Sequence, residues 1–384
     1  MKAESVDVQR LEAGAHAASP APAGAAATAA SPAAAISAAR RRGNVALLTA
    51  VSACSWVDRR IFDMLLQPIK LEFDLSDAQL GFLAGLAFAI FYAGFGIPLA
   101  WLADRRSRKW IIVASLTIFA TMTTVCGLAQ TYWQLVLLRM FVGIGEAGTV
   151  PQSHSLISDL YPQRRRAGPL ALYIAGGSCG GLFLGYLAGG ALSQSLGWRH
   201  TLLLVGGPGL LLAALVAGLL LETPRGLSDD RDDSVATATE VEAAGGVGAT
   251  PISDVLRVVW RCRSIFHVFA GTCTIIFGGS SSAFTPALLA RSPHGLQPTT
   301  IGVVLAISAG VVGFVGTWGY GVLSDRLAER SAVFLSAGLV VQFATTLGFC
   351  FTSNTAVAVG CLMLSGLIAV STTTGDALSR CAPR

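Results

Sequence analysis

Four ionisable residues stand inside otherwise apolar stretches of the chain: Asp58, Arg59, Arg139 and Glu146. A carboxylate held at the centre of a bilayer costs at least ~2.5–3.5 kcal/mol on insertion scales and normally faces an interior cavity. Its proton affinity is set by desolvation and by nearby cations, so Asp58 is a candidate proton acceptor. Adjacent helical residues point in different directions, so Asp58 and Arg59 are not expected to share one simple bridge. Arg139 and Glu146 are separated by just under two helical turns and lie on one face, about 10 Å apart along the axis. That spacing suits either a structural pair or a binding site. Arg60 and Asp63 fall nearer the end of the same apolar stretch as Asp58 and read as a solvated rim. His154, past Pro151, reads as a packed, hydrogen-bonded residue.

The elements that carry these residues follow from composition. The chain has 384 residues, 53% of them hydrophobic and 13% charged, against roughly 25% charged in soluble domains. An ordinary soluble enzyme is thereby excluded. The apolar residues come in blocks about twenty long, the length that crosses a ~30 Å hydrocarbon core as helix. Ten such spans are expected, at about 45–67, 79–103, 110–129, 132–158, 168–194, 201–221, 264–289, 300–323, 331–351 and 355–375. The expected class is all-α. Residues 1–43 form an Ala/Pro-rich tail that cannot bury a core. Residues 44–221 make a bundle of six helices, 222–262 an acidic then amphipathic linker, and 263–384 about four helices of a second bundle. Arginine clusters at 40–42, 105–108, 164–166, 257–263 and 326–330 fall on one side of this topology, which places both termini in the cytoplasm. The eight cysteines are scattered singly and form neither a metal nor a disulfide pattern.

Two loops repeat. Asp104, Arg105, Arg108 and Lys109 occupy the tight connection between spans two and three, and Asp325-Arg326 recurs between spans eight and nine. A loop repeated at the same ordinal position in each half signals internal duplication. In the first loop the cations could pair with Asp104 and with helix C-terminal carbonyls. Span five carries Gly177, Gly181, Gly185 and Gly189 at an unbroken spacing of four, a stripe that lets a neighbouring helix approach closely.

These motifs resemble the major facilitator superfamily. Its helix-two-to-three signature, Gly-x-x-x-Asp-Arg-x-Gly-Arg-Arg/Lys, is matched by "AWLADRRSRK", with Ala100 and Ser107 where the pattern has Gly. "WVDRRIFDMLLQPIKLEFDLSDAQLG", "LLRMFVGIGEAG" and the "GWRH…LETPRG" segment are similar to its spinster-like branch. The resemblance implies a two-bundle transporter with Asp58, Arg59, Arg139 and Glu146 around a central cavity. Glu146 then leads as the substrate or proton site, and the Asp-Arg loops latch the inward-closed state. The implied activity is proton-coupled secondary transport of a small organic or lipid-like solute by alternating access, in a monomer embedded in the bilayer of the cell (inner) membrane. The family normally has twelve spans, so a chain ending after span ten is expected to be either truncated or a reduced form. The alternative is a non-transporting receptor or scaffold, or an inactive truncated transporter. No cofactor, metal or nucleic acid is expected. Phosphate-cradling GxxxxGK[ST], HExxH and GxSxG patterns are missing, and the basic loops are explained by topology.

Overall fold

The computed structural model describes residues 36–162, 165–227, 281–291, 293–316, 318–319 and 331–369. The tail before residue 36, the linker past residue 227, the start of span seven, Asp325, Arg326 and the C-terminal segment lie outside the described residues. The described residues are helical and contain no strand.

α1 spans Ala38–Phe73, its first turn capped by the Ser37 hydroxyl accepting from the Arg40 N–H. It is longer than a bilayer core, ~54 Å at 1.5 Å per residue. It ends at Asp74 in the left-handed region (φ 49°). α2, Asp77–Arg105, starts with a capping box between Ser76 and Gln79. It contains a π-turn at Phe82–Leu86. α3 covers Arg108–Cys126 and is capped by Ser107.

Span four is not continuous. It divides into α4, Tyr132–Ala147, and α5, Val150–Leu160. Pro151 lacks an N–H and its ring would clash with the carbonyl of Ala147 four residues back, so the helix breaks at Gly148-Thr149. The break follows Glu146 directly, and the Thr149 hydroxyl donates to the Glu146 carbonyl at 2.8 Å.

α6, Ala167–Leu219, holds spans five and six, separated at Gly197 with φ 74° and ψ 169°. That conformation is open to glycine and strained for other residues. In the second half, α7 is Thr285–Ala290, and α8 is Pro298–Leu305 running into a π-turn at Ala306–Val312. α9 is Ser331–Phe351 and α10 is Thr355–Ala369. The π-turns thus fall in spans two and eight, the same ordinal position in each half.

Four described helices are long and apolar enough to cross a membrane: Asp77–Arg105, Arg108–Cys126, Ala167–Leu219 and Pro298–Gly316. Large apolar side chains such as Ile97, Leu211 and Phe343 are about two-thirds exposed, the pattern of a surface solvated by lipid rather than water. Two of the charges of α1, Asp58 and Asp63, are buried against the other helices.

The glycine stripe of α6 faces α1. A Cβ on Gly185 would sit 2.8 Å from Arg60 Cβ and 3.1 Å from Val57 Cα, and one on Gly189 would sit 3.2 Å from Ile61 Cα. Gly177 and Gly181 meet Ser52 and Ala53 in the same way. Backbones this close admit no side chain without helix displacement. Gly185→Leu is therefore expected to destabilise the bundle by about 1–3 kcal/mol or more. Gly180→Leu, at a position with nothing within 4 Å, should leave the thermal unfolding midpoint in detergent unchanged.

Candidate functional site

Sequence spacing leaves open whether Arg139 pairs with Glu146. The structure pairs neither with the other. Arg139 donates from one terminal nitrogen to Asp58 Oδ2 at 3.3 Å. Arg59 donates to Glu146 Oε2 from Nε at 2.7 Å and from its other terminal nitrogen at 2.5 Å. Because Asp58 and Arg59 diverge by one helical step, each reaches a different level of α4. Two antiparallel charge pairs result. The Phe88 ring lies between the two guanidinium groups, 4.7 Å from that of Arg59 and 5.6 Å from that of Arg139. Arg139 also stacks over Phe62 at 3.9 Å, and Arg59 is flanked by Tyr92 and Trp56.

The two pairs differ in environment. The Asp58 and Arg139 side chains are 3% and 4% exposed. Arg59 and Glu146 face a cavity of about 270 Å³, with Ser52, Ser55 and Thr149 supplying hydroxyls and Trp56, Tyr92 and Ile174 the apolar wall. Glu146 is 1% exposed. Its second oxygen, Oε1, is buried with no hydrogen-bond partner. A buried carboxylate oxygen left so is a group that can take a proton or a donor. His154 also lines the cavity and meets the Tyr173 ring edge-on at 5.1 Å.

Of Arg60 and Asp63, read from sequence as a solvated rim, Asp63 is buried and Arg60 is half-buried. Arg60 donates to Asp63 Oδ2 at 2.9 Å and to the Tyr186 hydroxyl at 3.2 Å, and Asp63 is 7% exposed. The rim reading fails because α1 continues well past residue 67, so the pair sits in mid-helix against α6. The signal in the sequence is the opposite-charge spacing of three residues.

In the Asp104 loop, the hub is Arg108, 3% exposed. It turns to Asp159 (2.5 Å), Ser155 (2.7 Å), Glu222 (3.4 Å) and the Thr223 carbonyl (2.6 Å), rather than to Asp104. Glu222 in turn accepts from the Ser107 hydroxyl at 2.6 Å and from the backbone N–H groups of Lys109 and Arg108. The Asp104 side chain is exposed, and its carbonyl accepts from Arg225. Arg105 stacks on Trp101 at 3.6 Å, and Lys109 lies 5.8 Å from the Trp110 ring. Asp159, Glu222 and Arg225 are thus loop partners that sequence spacing does not single out. Asp325 and Arg326 lie outside the described residues.

Burial alone would raise the Glu222 carboxyl, but the bonds from Ser107, Lys109 and Arg108 outweigh it and hold the carboxyl below its usual range. The sign follows from linkage. The stabilisation is fully present above the unfolded value of about 4.3 and is lost as pH falls through the lower folded value. Wild-type thermal stability in detergent should therefore decline below about pH 4.5 more steeply than that of Glu222→Gln. Parallel curves would remove Glu222 from the acid response.

The described residues hold no group of three metal-ligating side chains. A family model described as Major Facilitator Superfamily matches residues 48–383. The chain is 35% identical to an MFS-type efflux pump of Mycolicibacterium smegmatis over 76% of this chain and 64% of the pump. It is 26% identical to Protein spinster of Drosophila melanogaster over 81% of this chain and 51% of that protein. It therefore spans between about half and two thirds of these relatives' length. Among solved structures, a bacterial homolog to the human lysosomal transporter Spinster, inward-facing and unoccupied, superimposes with a TM-score of 0.72 at 28% identity. That match covers 88% of this chain and 74% of the solved one.

Proposed function

The chain belongs to the major facilitator superfamily, and on that premise we propose that it is a secondary active transporter that moves a small organic or amphiphilic anion together with protons. The observation that carries this reading is Glu146: one oxygen holds Arg59, and the other is buried at the cavity without a partner. With Glu146 ionised, Arg59 is neutralised and the cavity has little pull on an anion. A proton on Glu146 removes that counter-charge and leaves the Arg59 guanidinium for a carboxylate, sulfonate or phosphate group, which it can hold with paired N–H donors. Proton and anion then bind together, the condition for symport. The apolar body of the solute lies against Trp56, Tyr92 and Ile174. A relative from Cupriavidus necator, a probable sulfoacetate transporter, carries a name that fits an anionic solute.

The two halves rock about this site by alternating access. Asp58 and Arg139 hold α1 to α4 behind the cavity, and the Arg108 hub braces its own end of the bundle. The Arg108 end and both termini face the cytoplasm, and the protein acts as a monomer in the cell (inner) membrane. A thermal-shift screen against lysolipids, sulfonates, carboxylates and quaternary amines tests the ligand class. Stabilisation by anionic compounds, stronger at low pH, is expected. Stabilisation by cationic amines alone would overturn the reading.

A further inference from the structure

At the end of the molecule opposite the Arg108 hub, the two halves are joined by polar contacts of an unusual kind. Asp77 begins α2 and Arg105 ends it, ~43 Å away along the helix, so the two ends are well separated. Arg291, in the connection between α7 and α8, donates from Nε to Gln67 Oε1 at 2.8 Å and from a terminal nitrogen to Asp77 Oδ1 at 2.9 Å. The same Asp77 oxygen accepts from Lys70 at 2.6 Å. Nearby, Thr299 at the start of α8 donates from its N–H (3.1 Å) and its hydroxyl (2.5 Å) to Gln194 Oε1. Beneath these contacts α8 crosses α6 backbone to backbone, where a Cβ on Gly302 would lie 3.0 Å from Gly190 Cα.

We propose that Arg291 is the releasable latch of this closure: it fastens the second half to Gln67 and Asp77, and its release lets the molecule open at this end. The inference rests on the alternating-access reading above. Three features suit a fastener that must open in each cycle. Asp77 is 63% exposed and Arg291 28%, so the pair is weak and screened by salt, unlike the sealed Asp58–Arg139 pair. Lys70 belongs to the first half and already holds Asp77, so the carboxylate keeps a cation when Arg291 leaves. Gln67 and Gln194 are neutral, so opening leaves no unpaired charge on either.

Hydrogen–deuterium exchange of the full chain in lipid nanodiscs tests the latch without any ligand. Arg291→Gln should speed uptake several-fold in peptides covering 66–80 and 296–302. It should slow uptake at 104–112 and 155–162, because opening at one end closes the other. Arg291→Lys, which keeps the charge, should stay close to wild type. Raising salt from roughly 0.05 to 0.5 M should move wild type toward Arg291→Gln and leave the variant where it is. Unchanged uptake at the Asp77 end, or a rise at both ends together, would overturn the latch. Flux is not the readout, so failure here leaves the transport proposal standing, and a reciprocal shift in a protein inactive for flux would leave the latch standing.

Discussion

Glu146→Gln is expected to cut proton-driven solute uptake by at least about tenfold, equivalent to 1.4 kcal/mol in the coupled step, while solute exchange without a pH gradient persists. The amide keeps the size of the side chain but cannot take the proton. It also leaves Arg59 without its counter-charge at all pH values, so the cavity is held in the anion-accepting state. The amide oxygen can still accept from Arg59, so the stability cost is the loss of charge on the acceptor, within the about 1.5–3 kcal/mol of a hydrogen bond to a charged group. The stability effect should fall toward the lower end, because the Arg59 side chain is 29% exposed and can be solvated from the cavity. Uptake into proteoliposomes with and without an imposed pH gradient separates the two effects. Equal losses in both assays would make Glu146 a structural residue instead.

Arg139→Met should give the largest loss of stability in the first bundle. Asp58 would be left ionised or forced to protonate in a site where its side chain is 3% exposed. Breaking a buried pair in this way costs about 3–5 kcal/mol. The double variant Asp58→Asn, Arg139→Met removes both charges and should recover more than half of the lost stability, because no unpaired charge remains. Arg139→Lys should recover less than its charge suggests, since an ammonium cannot reproduce the planar stack on Phe62 at 3.9 Å. Thermal unfolding of wild type, Asp58→Asn, Arg139→Met and the double variant forms a double-mutant cycle. Additive effects would show that Asp58 and Arg139 act independently.

The apolar blocks marked the membrane helices that the described residues show, but span four was read as one continuous helix over 132–158, and its break at Pro151 was missed. Periodicity placed Arg139 and Glu146 on one face and separated Asp58 from Arg59. It did not reveal which residue meets which, because pairing depends on the rotation and height of α1 against α4, and a single helix carries no information about either. The same limit hid the Arg108 hub, whose partners Asp159 and Glu222 come from helix ends far apart in sequence. Asp63 and its partner Arg60 were misread as a rim because the helix containing them was taken to end at residue 67 rather than Phe73. The small-residue stripe, by contrast, could be read directly, since glycines spaced by four have few uses in a long apolar helix other than close approach.

The central claim is that solute and proton move together through the cavity bounded by Arg59 and Glu146. Its most direct test is a pH-sensitive dye inside proteoliposomes, with an inward gradient of the strongest-binding anion, no initial pH difference and the membrane potential clamped. Internal acidification that tracks solute entry in wild type and is absent in Glu146→Gln is the predicted result. Solute entry with unchanged internal pH would contradict it.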